Sequence, residues 1–436
     1  MINKGYEDVF SDQWVKTHIP NPDHEFVILR QVIPWQRLID PLSDFYHSRR
    51  GRLGKSLRTL VALLIVSRLR QLSDEQVVFG VQENRYMQYL CNVADSELFD
   101  FVNPSTLCKF RQRLGEKGTY LIESTVFDSL REAGVILAET LMMDSTVLVN
   151  NLIYPNDVRL VFQAFTKMGI FACQYSLKIW WDEVHVKKRW RAFGRSKANQ
   201  RATFLTEFYD LFVPALQTFR YHCNTINISN GDHKLLTVLN LLNAQTEQKL
   251  AGERHIKNRL VSLDEVDARP IKKGKTFPAC EFGSTVQMTF NRQGFMVTTE
   301  NFIGQPGDAT LYAKTLSRFQ KRMQTDPQTV VTDLGFRSAA NFESTSDSIA
   351  HVFLGQSNDV VEAQRDFCRR ARSATEGFIA VAKNLRGFGK SLYKHCLGDR
   401  IWTLLCQTAY NLKKLLQLKR DGKLAHESLR KLGLAI

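Results

Sequence analysis

Three acidic residues, far apart in the chain, have surroundings that suggest chemistry. Glu376 lies in Arg365 to Leu385, where Phe367, Ala371, Ala374, Phe378, Val381 and Leu385 step by fours and threes. That period predicts a helix with one buried stripe. At about 100° per residue, Arg372, Glu376 and Lys383 fall within roughly 40° of one another on the opposite side, so one carboxylate stands between two cations. On an arbitrary helix such a face is more often a solvated row of charges. Asp144 and Asp333 change the balance, because each ends a short apolar run that reads as a strand, at Thr140–Met143 and Thr329–Thr332. Carboxylates delivered to a sheet edge are hard oxygen donors suited to Mg²⁺. Two such ions can stabilise the multiply anionic centre of phosphodiester cleavage.

The elements that would position these acids follow in chain order. After the Asp144 run, Thr285 to Phe290 alternates apolar and polar, Asn291 to Gly294 makes a turn and Phe295 to Thr299 returns as a hairpin. Asp308 to Met323 predicts a helix, the Asp333 strand follows, then a short helix at Ser338–Glu343, a strand at Ile349–Leu354 and the Glu376 helix. This succession describes a mixed α/β sheet flanked by helices.

Ahead of it the chain is helical. Leu57, Leu60, Leu63 and Leu64 share one face, Ser73 and Gln76 form a capping box, and Ser105 is placed to cap a helix whose core stripe is Leu107, Phe110 and Leu114. Lys109, Arg111 and Arg113 project from its other sides. That shape suits a DNA-binding helix and, equally, an ordinary bundle with a solvated basic face. Between the first strand and the hairpin, Asn151 to Leu263 has helical periodicity. There Trp180, Trp181, Trp190 and Phe193 are interleaved with Lys187, Lys188, Arg189, Arg191, Arg195 and Lys197. The cations could neutralise phosphates, whereas the tryptophans are expected to pack in a core.

A formal net charge of +15 over 436 residues favours polyanionic partners, nucleic acid first among them. Met1 to Phe10 lacks the apolar core of a signal peptide, and the longest apolar stretch, Leu60–Val66, is too short to span a bilayer. No membrane association is therefore expected, and the cytoplasm is the expected compartment. Eight cysteines without a C-x-x-C pair indicate neither a zinc site nor a disulfide framework, and buried reduced thiols are expected. Gly54-Lys55-Ser56 and Gly389-Lys390-Ser391 fail as phosphate-binding loops, since Arg49 and Asn384 stand where the earlier glycine is required.

An ordered set of pieces resembles bacterial insertion-sequence DDE transposases. It comprises Asp144-Ser-Thr, Tyr154-Pro-Asn-Asp157, the stretch Arg259 to Lys275, Glu281-Phe-Gly283, Thr332-Asp-Leu-Gly-Phe336 and the Glu376 helix. The likeness runs from about Leu53 to the last helices. It implies an RNase H-like catalytic domain, a helical N-terminal DNA-binding domain, and Asp144, Asp333 and Glu376 as the triad that holds two Mg²⁺ or Mn²⁺ ions. Asp144 would bridge both ions, with Asp333 and Glu376 each completing one site. The long interval between the two aspartates requires an insertion. Relatives carry Tyr, Arg, Glu and Lys at spacings of three, four and seven. Arg372, Glu376 and Lys383 match, and Arg369 stands at the tyrosine's place, where it could meet a phosphate.

The expected organisation is a helical DNA-binding domain over 1–135, a catalytic domain over 136–420 with a helical insertion at about 151–263, and a basic tail over 421–436. The expected activity is cutting and joining double-stranded DNA at the terminal inverted repeats of an element and in its target, by a homodimer associated with the nucleoid. A metal-dependent nuclease on the same fold and a non-catalytic DNA-binding protein are the alternatives.

Overall fold

The computed structural model describes residues 3–46, 54–272, 280–345, 347–355 and 362–434. The basic runs Arg49–Arg52 and Lys273–Lys275 lie outside the described residues. The chain divides into two compact units, one of Met1–Leu148, Thr285–Tyr393 and Leu397–Ile436, the other of Val149–Ser284 and Lys394–Cys396.

Among its described residues the first unit begins with the α-helices α1 (Asp12–His18), α2 (Glu25–Val32), α3 (Trp35–Leu42), α4 (Leu57–Leu69), α5 (Asp74–Glu83), α6 (Arg85–Cys91) and α7 (Pro104–Glu132). The apolar run at Leu60–Val66 belongs to α4, every residue of which is buried. A helix apolar on all sides needs neighbours all round, and α4 has them. Ser73 and Gln76 form their capping box at the head of α5. At the head of α7 the cap differs from expectation: Asn103 accepts from the Ser105 amide and Pro104 takes the first helical position, where its missing N–H costs nothing. Gly115, at φ +56°, breaks α7 within its length, a conformation open to glycine at little cost.

These helices do not make their core alone. Ile401, Leu405, Ala409 and Leu412 of the helix His395–Arg420 pack into it, so residues 1–135 share a core with an element from the far end of the chain. The last residues also pack: Leu432 and Leu434, after the short helix His426–Lys431, are buried in a second core.

The sheet uses β1 (Thr140–Asn150), β2 (Arg269–Ile271), β3 (Glu281–Phe290), β4 (Met296–Ile303), β5 (Thr329–Thr332), β6 (His351–Leu354) and β7 (Lys390–Ser391). Between them run α8 (Asp157–Gln174), α9 (Glu183–Gly194), α10 (Arg201–Thr225), α11 (Asn230–Leu250), α12 (Asp308–Met323), α13 (Ala339–Glu343) and α14 (Glu362–Leu385), with α15 (His395–Arg420) and α16 (His426–Lys431) at the end. The strand order is β3-β1-β5-β6, with β4 on β3 and β7 on β1. β1, β5 and β6 are parallel and β3–β4 is the antiparallel hairpin. Alternation along β1 divides its side chains between two faces. Leu141 and Met143 join Tyr312, Leu316 and Phe319 of α12, whereas Met142 and Leu148 join Cys368 and Ala382 of α14 and Trp402 of α15. Helices therefore cover both faces, as a largely parallel sheet requires.

The second unit is built on α8 to α11 around Phe165, Phe208, Phe212 and Phe219, with β2 paired antiparallel to the first residues of β3. Trp180 donates its indole N–H to the Ala215 carbonyl at 2.8 Å, and Trp190 stacks on Phe162 at 4.4 Å. These tryptophans brace the helices rather than offer stacking faces. Asp157 and Arg259, from two pieces of the ordered motif set, form a two-point ion pair at 2.8 and 2.9 Å, which gives those pieces a structural role.

Among the described residues no helix is long and apolar enough to cross a membrane. Burial pushes the thiols of Cys91 and Cys406 up to about 12, which keeps them inert. Cys108 and Cys173 are exposed, contrary to the expectation that all the cysteines are buried.

Candidate active site

The register of the central strands decides where the two aspartates stand. Met142 of β1 is opposite Val331 of β5, so two residues further along each chain bring Asp144 abreast of Asp333, about 5 Å away at the spacing of neighbouring strands. Parity assigns Asp144 to the face that carries Met142, the face under α14. β1 does not stop at Asp144, as its apolar run suggested, but continues to Asn150. β5 ends at Thr332, immediately before Asp333.

Each carboxylate is held by the backbone beside it. The Ser145 amide donates to Asp144 Oδ1 at 2.6 Å, and the Gly335 amide donates to Asp333 Oδ1 at 3.0 Å. Asp333 thereby caps the short turn Leu334–Phe336, a standard use of an aspartate side chain. Both residues are half-buried.

α14 lies over this face on a stripe that overlaps the expected one, of which Phe367, Ala371 and Phe378 pack against the core. Cys368, Thr375 and Ala382 are its buried positions, while Val381 and Leu385 are 40% and 50% exposed. On a wheel of about 100° per residue the buried stripe is turned by roughly 90° from the predicted one. The small side chains of Cys368, Thr375 and Ala382 permit close approach to the sheet, and the larger apolar residues flank the contact. This rotation matters for Glu376. Instead of opposing the core, Arg372, Glu376 and Lys383 stand along one edge of the sheet-facing stripe. Arg372 and Lys383 are half-buried and Glu376 is exposed. On the other edge, Val381 and Leu385 line a groove of about 1000 Å³ with Tyr410, Lys413 and Lys414.

One contact fixes this seat of α14. Gly294, in the β3–β4 turn at φ +87°, meets the Phe378 ring so closely that a Cβ there would lie 2.7 Å from it. Gly294→Ala should therefore destabilise the fold by about 1–3 kcal/mol, through strained backbone and overpacking together. Denaturant unfolding checks this, and an unchanged midpoint would show that α14 is seated by other contacts.

The expected DNA-contacting residues separate into engaged and open ones. Arg111 is buried and makes a two-point ion pair with Asp74 at 2.7 and 2.6 Å, so it holds α7 to α5 and is withdrawn from the basic face. Lys109 and Arg113 remain exposed, Arg113 over the Tyr46 ring at 4.3 Å. On α9, Lys187 pairs with Glu183 at 2.8 Å and Arg189 pairs with Glu207, leaving Lys188 as the exposed cation of the three without a described ion pair. Arg369 is exposed and bonds Asp366 at 2.9 Å.

Oxygen-only donors suit a hard divalent cation, and two carboxylates on neighbouring strands, Asp144 within β1 and Asp333 just past the end of β5, fit that use. Among the described residues no three His, Cys, Asp or Glu side chains are gathered closely enough to hold a metal ion. Glu376 thus stands on the covering helix without being drawn into one cluster with the aspartates. A further acid, Asp308, was not singled out from the sequence. It opens α12, where an acid in the first turn reads simply as favourable to the helix dipole.

Residues 14–113 match the family described as Transposase domain (DUF772). A protein of Rhizobium meliloti, described as uncharacterized protein ORF8 in nfe locus, is 27% identical over 202 residues, which cover 46% of this chain and 96% of its own. No solved structure matches the chain. The match to a transposase domain is confined to residues 14–113, and the description of the Rhizobium meliloti protein gives it no function.

Proposed function

We propose that this transposase-like chain is a DDE transposase, which cuts and joins DNA at the ends of an insertion sequence through Asp144, Asp333 and Glu376. The observation that carries the reading is the β1–β5 register, which sets two aspartates from opposite ends of a long insertion side by side under the helix that bears Glu376. The parallel β1, β5 and β6, the β3–β4 hairpin and helices on both faces support an RNase H-like arrangement.

In this reading Asp144, Asp333 and Glu376 are the residues that would hold divalent cations. Mg²⁺ or Mn²⁺ bound there would supply activation of water or a 3′-hydroxyl and charge neutralisation at the phosphate. The protein's own part is positional. The Ser145 and Gly335 amides fix the aspartates, and α14 brings Glu376, Arg372 and Lys383 along one edge. The two cations hold phosphates of the strand being cut, and Arg369 one turn earlier extends that row. Lys109 and Arg113 serve as further phosphate contacts on the first unit, and Lys188 as one on the second.

The functional test incubates purified protein with labelled DNA carrying candidate element ends and Mg²⁺. Nicked and joined products are expected. Nicking without joining would make the chain a nuclease, and binding without either would make it a DNA-binding protein. Binding itself should weaken steeply with salt, with a log–log slope near −0.9 for each phosphate neutralised. A flat salt titration would remove the role given to the net charge of +15.

A further inference from the structure

Asp308 approaches the aspartate pair from the opposite side of the sheet. The Ser145 side chain follows the parity of Leu141 and Met143, toward α12, and its hydroxyl donates to Asp308 Oδ1 at 2.8 Å. The backbone amide of the same serine donates to Asp144 Oδ1 at 2.6 Å. One residue therefore links Asp308 on one face to Asp144 on the other. At the end of β5, a Cβ on Gly335 would lie 3.0 Å from Asp308 Oδ2 and 3.2 Å from Asp333 Oδ1. The Asp308 carboxylate is thus packed against the glycine whose amide holds Asp333.

We propose that Asp308 is a positioning residue that sets the Asp144 and Asp333 carboxylates by fixing the Ser145 and Gly335 backbone from the α12 face. The inference rests on the reading of these two aspartates as metal ligands. In this proposal Asp308 is not itself a ligand. It acts as an outer partner that orients ligands, a role whose removal commonly lowers metal affinity by about 10- to 100-fold. Its position at the first turn of α12 explains why a rigid element is used, since a carboxylate anchored on a helix start cannot drift from the backbone it braces. Gly335 is small because the two carboxylates flank it.

The test is a titration of the full-length protein with Mn²⁺ alone, followed by the electron paramagnetic resonance signal of free Mn²⁺. It compares wild type with Asp308→Ala, Asp308→Asn, Ser145→Ala and the double variant Asp308→Ala/Ser145→Ala. Asp308→Ala and Ser145→Ala should each weaken Mn²⁺ binding by about 10- to 100-fold. The double variant should be no weaker than Asp308→Ala alone, because loss of Asp308 already breaks the Ser145 link. Asp308→Asn keeps an acceptor for the Ser145 hydroxyl and should retain near wild-type affinity, which separates positioning from loss of charge. Wild-type affinity in Asp308→Ala, or an Asp308→Asn as weak as Asp308→Ala, would overturn the inference. Asp144→Asn and Asp333→Asn run alongside. If these two also bind Mn²⁺ as wild type does, the metal reading itself fails. If they lose binding while Asp308→Ala keeps it, only the role of Asp308 fails. Near-ultraviolet circular dichroism confirms that each variant is folded.

Discussion

Glu376→Gln is expected to abolish cleavage while leaving DNA affinity unchanged or slightly raised. The substitution keeps the shape of an exposed side chain on α14 and removes only its charge, so the fold should not change. If Glu376 is a direct ligand as proposed, replacing its charged oxygens by a neutral amide should cost more than the 10- to 100-fold typical of outer partners, which places the loss in single-turnover rate above about 100-fold. Affinity can rise because a negative charge next to a phosphate has gone. Lys383→Ala should behave in the opposite sense. It should weaken binding and lower the salt slope by about one unit, with a smaller loss in the chemical step at saturating DNA. Single-turnover cleavage set against equilibrium binding separates the two. Full cleavage by a folded Glu376→Gln protein would displace the third carboxylate, with Glu362 and Asp366 on the same helix the next to examine.

Arg322→Ala is expected to have the largest effect on stability. Arg322 on α12 bonds Glu123 on α7 at 2.6 Å, with side-chain exposures of 10% and 2%, and lies over the Phe127 ring at 4.2 Å. Burial pushes the Glu123 carboxyl upward, and Arg322 opposes that shift without cancelling it. Removing the cation leaves a buried carboxylate uncompensated, which costs about 3–5 kcal/mol. Without Arg322 the ionised form of Glu123 is disfavoured further in the folded state, so its folded-state pKa rises. The deficit should therefore shrink as pH falls and the carboxyl takes up a proton. Arg322→Met with Glu123→Leu should restore stability to near wild type or above, since an apolar pair of similar volume avoids desolvating two charges. Urea unfolding at several pH values measures all three. A single variant as stable as wild type would show that α7 and α12 are joined by their apolar contacts instead.

Local signals gave the elements of the sheet. The hairpin, α12, the Asp333 strand and α14 are all visible in the period of their apolar residues, because each buries one face against a neighbour. What the chain does at a distance was not visible. Arg111 looks like any other cation on a basic helix until Asp74, on α5, is found opposite it. The face of α14 that meets the sheet was ambiguous because two adjoining stripes are both compatible with burial. The smaller one won, and that choice moved Glu376 from the far side of the helix to the edge of the sheet-facing stripe. Asp308 was passed over because an acid at a helix start has an ordinary local explanation, whereas its bond to Ser145 crosses from one element to another. The shared core of the N-terminal helices with α15 was hidden for the same reason, since the partner lies near the end of the chain.

The pairing of Asp144 with Asp333 at one metal site is tested most directly by exchanging each carboxylate for a thiolate and changing the metal. Asp144→Cys and Asp333→Cys should each lose cleavage in Mg²⁺, a hard ion that rejects sulfur, and recover part of it in Mn²⁺, which tolerates a softer ligand. An unrelated exposed acid replaced by cysteine should show no such dependence on the metal. Recovery in Mn²⁺ for both variants would place both side chains on the reacting metals. Undiminished Mg²⁺-dependent cleavage in either, or equal loss in both metals by a folded protein, would contradict the assignment.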